Sequence, residues 1–256
     1  MLVKTPEAIQ KMRVAGRLAA QVLEMIERYV VPGISTQALD KICHQYIIDE
    51  LHAIPASLGH HGFSGCICTS VNHVVCHGIP SDKKILKNGD IINIDVTVKK
   101  DGYIGDTSKM FLVGKVKPWV EKLVTVTQEC LYKAINIVQP GTTLGDIGHI
   151  IQKYAESHGY SVVREFGGHG IGEQMWEDPH VPHYGQPNTG MALQAGMTFT
   201  IEPMINLGKA GILQLGDGWT IVTKDHSLSA QWEHTILVTE SGAEILTRRQ
   251  EEKSFI

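Results

Sequence analysis

The chain has 256 residues, 43% hydrophobic and 20% charged, enough to bury a sizeable core as one large domain or two small ones. A net charge of −4 and the lack of a basic block argue against nucleic acid as the main partner. No apolar run approaches the ~20 residues of a membrane span and residues 1–13 hold no secretory h-region, while five cysteines without zinc-knuckle spacing read as free thiols of a reducing cytoplasm.

Thr5-Pro6-Glu7 opens a first helix with a cap hydroxyl, a proline in the first turn and an acid at the positive end of the dipole. Ile9, Met12, Gly16, Ala19, Leu23, Ile26 and Val30 follow at helical spacing, and Pro32-Gly33 stops the run. Ser35 or Thr36 caps a second helix with Leu39, Ile42, Cys43, Tyr46 and Ile47 inward. Residues 53–80 read as loop with short apolar runs. A third helix is expected over 119–138, a fourth over 143–158 and a strand over 161–166. Residues 167–197, rich in Gly, Pro and His, read as a long functional loop. The pattern from 198 to about 239 is strand-like, with turns near Gly216-Asp217-Gly218 and Lys224-Asp225. The polar tail from Glu240 reads as a surface strand and fray.

Between the second and third helices, Asn93, Asp95 and Thr97 alternate with Ile92, Ile94, Val96 and Val98. Period two predicts a strand with one polar and one apolar face. Lys99-Lys100-Asp101-Gly102 turns it into a second strand from Tyr103 to about Val113. A four-residue loop sets Asp95 opposite Asp106, and a two-residue turn makes them diagonal neighbours. Either register puts both carboxylates on one face, within about 5–8 Å. Two bare carboxylates there repel by roughly 4 kcal/mol at 4 Å and an effective dielectric of 20. A shared cation removes that cost.

The sequence also repeats itself. Val31-Pro32-Gly33-Ile34-Ser35-Thr36 resembles Gln139-Pro140-Gly141-Thr142-Thr143-Leu144, and Gly89 to Asp95 resembles Gly196 to Glu202. Asp106 in one half answers Glu233 in the other. A single domain of two pseudo-symmetric halves, about 5–115 and 116–240, is expected to deliver acids to one place. The candidate constellation is Asp95, Asp106, His169, Glu202 and Glu233. Four carboxylates and one imidazole suit divalent Mn, Fe, Co or Zn, and four negative charges balance two such ions. A pair ~3.5–4 Å apart can hold a bridging hydroxide and polarise a carbonyl. The chain has no His-Glu-x-x-His helix, Gly-x-Ser-x-Gly elbow, dinucleotide fingerprint or phosphate loop.

The motifs Val-Cys-His77-Gly-Ile-Pro, Asn-Ile-Asp95-Val-Thr, Gly-Asp106-Thr, Gly-Gly-His169-Gly-Ile-Gly, Thr-Ile-Glu202-Pro and Gln-Trp-Glu233-His-Thr resemble those of type I methionine aminopeptidases over nearly the whole length. The resemblance implies an α/β (α+β) pseudo-two-fold pita-bread fold, with a central curved antiparallel sheet and outer helices. It implies a monomeric cytoplasmic hydrolase that removes the initiator methionine from nascent chains near the ribosome when the second residue is small, by attack of a metal-bridged hydroxide on the scissile carbonyl. Asp106 and Glu233 would bridge two metals, Asp95 would bind one, and His169 and Glu202 the other. Glu202 would also pass the proton, and His77 would contact the scissile peptide. Phe63, Cys68 and Trp219 would line the methionine pocket, with His60 where the family often has Tyr and Met175 where Phe is usual. Trp176 stands where the family pattern has a second active-site His. Asn72 and Val74 with Ser229 resemble a monovalent-cation site. Two rivals remain in view. Proline-directed peptidases of the same fold usually carry a substantial extra N-terminal domain, and non-enzymatic homologues typically lose metal ligands that are all present in this sequence.

Overall fold

The computed structural model describes residues 2–254. Helix α1 (Pro6–Ile26) begins where expected, because Thr5 Oγ1 accepts the backbone N–H of Ala8 at 3.2 Å. Such a cap contributes about 1 kcal/mol. The α-helix ends at Ile26 and the chain tightens into a 3₁₀ turn over Glu27–Tyr29, short of the Pro-Gly stop. Helix α2 (Thr36–Gln45) takes its cap from Ser35 and runs on into a π turn over Tyr46–Glu50.

The segment 53–80, read as loop, contains three short strands: β1 (Ile54–Pro55), β2 (Ile67–Val71) and β3 (Val74–Cys76). Their apolar runs are too short to carry a period. What starts β2 is a side chain, since buried Asp40 of α2 accepts the backbone N–H groups of Cys66 at 2.7 Å and Ile67 at 3.2 Å. Strands β4 (Ile91–Lys100) and β5 (Tyr103–Leu112) form the expected hairpin. Its turn is Asp101-Gly102, with φ of 49° and 87°. Left-handed values at both positions are those of a type I′ turn, which leaves only two residues unpaired and fixes the register. β1 and β2 pair with one edge of β4 and β5 with the other, all antiparallel.

Helices α3 (Pro118–Ile135) and α4 (Leu144–Ser157) follow, α4 closed by a capping box between Thr143 and Asp146. The strand expected over 161–166 shrinks to β6 (Ser161–Val162). The expected loop over 167–197 carries β7 (Gly168–Gly170) and β8 (Glu177–Val181). Beyond it come β9 (Thr198–Ile201), β10 (Met204–Asn206), β11 (Ile212–Gln214), β12 (Ile221–Thr223), β13 (Ser229–Gln231), β14 (His234–Val238) and β15 (Ala243–Ile245). Among the described residues the strands fall into four antiparallel sheets. The largest has the order β15-β14-β9-β7-β8.

Two apolar clusters support the sheets. One joins α1 and α2 to β4, and the other joins α3 and α4 to β9, β10, β13 and β14. Helix α1 crosses β5 so closely that a Cβ on Gly105 would lie 2.5 Å from the backbone of Ala15 and Gly16. The glycine beside Asp106 is therefore needed to seat the helix on the site strand.

The tail is not the surface fray its composition suggests. Thr247, Arg249 and Glu252 are buried, and Arg249 pairs with Glu252 beneath β14. Charged side chains hide there because they satisfy one another. All five cysteines are free and buried. Among the described residues no helix is long and apolar enough to cross a membrane.

Candidate metal centre and active site

The hairpin register sets Asp95 opposite Ser108 and Asp106 opposite Thr97. The two acids are thus diagonal neighbours on one face, the two-residue-turn alternative. That face is not wet, since Asn93, Thr97, Asp106 and Ser108 are buried. Thr97 Oγ1 donates to Asp106 Oδ1 at 3.0 Å, which fixes one carboxylate oxygen and leaves the other turned toward His169.

Glu233 reaches the hairpin through backbone stitching. Its N–H donates to Ser108 O at 3.2 Å, and its carbonyl accepts from Thr107 Oγ1 at 2.7 Å. Two residues on, Thr235 Oγ1 accepts the Asp106 N–H at 3.2 Å and donates to the Asp106 carbonyl at 2.8 Å. Glu202 sits between β9 and β10, where Thr200 Oγ1 donates to Oε1 at 2.7 Å and Gln231 Nε2 donates to Oε2 at 3.2 Å. Its own N–H donates to His183 Nε2 at 3.2 Å. Burial pushes the His183 imidazole down to about 3, which keeps it a neutral acceptor. Thr200, Gln231, Thr235 and His183 were not singled out in the sequence. The first three lie within the Glu202 and Glu233 motifs, but no signal marks His183.

His169 is held by two bonds. Its N–H donates to Thr200 Oγ1 at 3.0 Å, and Nδ1 lies 3.0 Å from the Gly170 carbonyl. A carbonyl only accepts, so Nδ1 carries the proton and Nε2 presents a lone pair. That lone pair faces Glu202 Oε1 at 3.6 Å and Asp106 Oδ2 at 3.8 Å. Ligand atoms of Asp106, His169 and Glu233 all lie within 4.8 Å of one another. Asp95 Oδ1 and Glu233 Oε2 are buried and, among the described residues, have no hydrogen-bond partner.

The electrostatics point the same way. Burial, then the neighbouring Asp106 and Glu202 carboxylates, push Asp95 far above the usual carboxylate range, and burial with Asp106 does the same to Glu233. Burial raises Asp106 and pushes Glu202 up to about 8. Burial lowers His169, an effect Asp106 partly offsets. Converging acceptors without donors are what a divalent cation needs. Two ligand atoms each about 2.0–2.2 Å from one ion sit roughly 3–4 Å apart, which these separations match. The donor set fits the group.

All five residues open onto one cavity of about 360 Å³. His77 is on its wall in a left-handed conformation, φ 56°, with its ring edge-on to Trp219 at 5.9 Å and to Phe166 at 5.7 Å. Burial, and secondarily His169, push it down to about 4, so it offers a neutral N–H. Phe63, in contact with Trp219 at 5.2 Å, and Cys68 form an apolar end. His60, Met175 and Trp176 line the cavity as well. Trp176 is 46% exposed, stacked on His61 at 5.9 Å and 10° and edge-on to His60 at 4.6 Å. Ser57, Cys76, Glu165, Phe166, His180 and Met204 are lining residues that sequence reasoning missed. Asn72, Val74 and Ser229 lie apart from this lining. Ser229 N–H donates to the Asn72 carbonyl at 2.9 Å, and Val74 pairs with Val222.

The profile of metallopeptidase family M24 matches residues 10–240. The methionine aminopeptidase of Escherichia coli strain K12 is 60% identical over 250 residues, 98% of this chain and 95% of that protein. The crystal structure of methionine aminopeptidase from Rickettsia prowazekii is similar at TM-score 0.95 and 52% identity, over 97% of this chain and all of that one, 100%. A prolidase from Pyrococcus furiosus, 21% identical, shares the fold at TM-score 0.79 over 97% of this chain and 66% of its own. The pita-bread α/β architecture of these proteins is that of this chain, which belongs to metallopeptidase family M24 and, within it, to the methionine aminopeptidases.

Proposed function

We propose that the chain is a metal-dependent hydrolase that removes the N-terminal methionine from peptides and new proteins whose second residue is small. The observation that carries the reading is the lone pair of His169 Nε2 facing Asp106 and Glu202 at 3.8 and 3.6 Å, beside buried carboxylate oxygens of Asp95 and Glu233 that have no donor among the described residues. Asp95, Asp106, His169, Glu202 and Glu233 would hold two divalent cations, of Co, Mn, Fe or Zn. When bound, the cations would polarise the scissile carbonyl and make the attacking water more acidic.

The chain's own groups do the rest. Glu202 takes the proton from the attacking water and returns it to the leaving amine, from the position in which Thr200 Oγ1 and Gln231 Nε2 hold its carboxyl. Neutral His77 donates a hydrogen bond to the scissile peptide as charge develops on its oxygen. Phe63, Cys68 and Trp219, with His60 and Met175, receive the methionine side chain, while Trp176 narrows the side on which the second residue lies. The repeat between residues 5–115 and 116–240 accounts for acids arriving in pairs from two halves of one domain. A cytoplasmic monomer acting on nascent chains near the ribosome agrees with this reading, as does a monovalent cation held by Asn72, Val74 and Ser229.

The deciding experiment measures methionine released from Met-Ala-Ser and proline released from an x-Pro peptide, after chelation and after adding Mn or Co. Metal-restored release from the first alone is expected. Preferential cleavage of the x-Pro peptide would favour the proline-directed class of the same fold.

A further inference from the structure

His180 has no part in the reading above, yet its side chain is on the wall of the same cavity. In the antiparallel pairing of β7 with β8 it is the direct partner of His169. Directly opposed residues share a face. The face in question turns His169 toward Asp106 and Glu202. A register shift follows at once, between His169 and Gly170, so the sharing stops at this pair. Such irregularities re-aim side chains and gather beside active sites.

Gly167 makes room for the ring. A Cβ there would come within 2.8 Å of His180 Cε1 and 3.2 Å of Nε2, and within 2.6 Å of the Val181 carbonyl. The imidazole therefore packs close against the bare backbone of Gly167 at the cavity edge. It is exposed, and among the described residues it has no hydrogen-bond partner.

Exposure indicates which part of a substrate it meets. An aminopeptidase takes the first residue into the closed end of its cavity, and the rest of the chain leaves through the open end. Buried Phe63 and Cys68 mark the closed end, while exposed Glu165, Trp176 and His180 mark the open one. Resting on the aminopeptidase reading of the cavity, we infer that His180 hydrogen-bonds the peptide backbone just beyond the scissile bond. It holds the second residue in the cleft beside Trp176, and so makes the enzyme favour peptides over shorter methionine derivatives.

The test compares wild type, His180→Ala and His180→Gln on Met-Ala-Ser, with free methionine as competitive inhibitor and bound metal checked by elemental analysis. Methionine fills the closed end but does not reach His180. His180→Ala should lower kcat/KM on the tripeptide by about tenfold or more, the worth of one well-aligned hydrogen bond. Its inhibition constant for methionine and its metal content should match wild type. His180→Gln, which keeps a donor and an acceptor at similar reach, should recover most of the loss. A wild type that releases no methionine overturns the aminopeptidase reading and this inference with it. An active wild type matched by His180→Ala on the tripeptide overturns the inference alone. So does a variant that loses methionine inhibition or metal in equal measure, because His180 would then act through His169.

Discussion

Arg249 is tied to Glu233 through one hydroxyl: its Nη1 donates to Thr107 Oγ1 at 2.9 Å, and Thr107 Oγ1 donates to the Glu233 carbonyl at 2.7 Å. The guanidinium is fully buried, bonded to Glu252 and stacked 5.6 Å over Trp232. Beside it, His234 Nδ1 meets Thr247 Oγ1 at 2.9 Å. The tail thus braces the strand that carries a candidate metal ligand. Arg249→Met leaves Glu252 buried without its guanidinium and should destabilise the fold by about 3–5 kcal/mol. The Arg249→Met, Glu252→Met double variant should recover much of that. Thermal melts of the three proteins decide it, and a single variant that melts with wild type would show that the pair contributes nothing.

The tail was the part of the fold least legible in the sequence. Glu251, Glu252 and their neighbours are polar, and polar tails are usually solvated. Burial follows here because Arg249 and Glu252 pair with each other and with groups of β5 and β14, Thr107 and His234, a tertiary fact with no local signature. The register of Asp95 and Asp106 was half legible. Alternation fixed the shared face, but the choice between opposed and diagonal rested on whether Asp101 adopts positive φ. The five candidate ligands were legible because each sits in a short motif of small or alternating residues. His183 and His180 were not, since each becomes informative only when β8 is laid beside β7 and β9.

Glu202→Gln should keep the fold and lose nearly all turnover. The amide has close to the same volume, but it cannot carry the proton and ligates poorly. It also turns one N–H₂ toward Thr200 Oγ1 or Gln231 Nε2, each of which donates to the present carboxylate. A melting temperature near wild type with kcat reduced more than tenfold is expected. Retention of over a tenth of wild-type turnover, a loss of about 1.4 kcal/mol at most, would mean that Glu202 is not the shuttle.

The carboxylates also predict how stability follows pH. Without cations, burial and mutual repulsion hold Asp95 and Glu233 well above the carboxylate range and Glu202 at about 8. Unfolded carboxyls ionise near pH 4–4.5. Between those limits the folded protein binds more protons than the unfolded chain. The linkage slope is then negative, so stability falls as pH rises. Chelated protein should melt at progressively lower temperature from about pH 5 to about pH 8. Added Mn or Co should raise the melting temperature more at the higher pH, because cations bind the ionised acids. Calorimetry in buffers of different ionisation enthalpy should register protons released on metal uptake. A pH-independent melt without proton release would contradict the buried-carboxylate account.

Trp176 sets the last prediction. Its indole packs against two imidazoles, stacked on His61 at 10° and edge-on to His60 at 82°. It has one N–H donor and no lone pair, so it cannot accept a proton or carry positive charge. A histidine, which the resemblance leads one to expect at this position, could donate to the developing oxyanion. Losing one aligned donor typically costs about 10²–10³ in rate. We expect Trp176→His to raise kcat/KM on Met-Ala-Ser by at least about tenfold, ~1.4 kcal/mol of transition-state binding. Trp176→Ala separates bulk from chemistry. It should leave Met-Ala-Ser no faster, yet narrow the gap between Met-Ala-Ser and Met-Val-Ser, because the wall beside the second residue is gone. His77→Ala in both backgrounds supplies the control. If positions 77 and 176 serve one oxyanion, losing His77 costs more while Trp176 is present than after it has become histidine. A Trp176→His enzyme no faster than wild type, with an unchanged His77→Ala penalty, would mean that the indole already serves as the donor or that the position is structural.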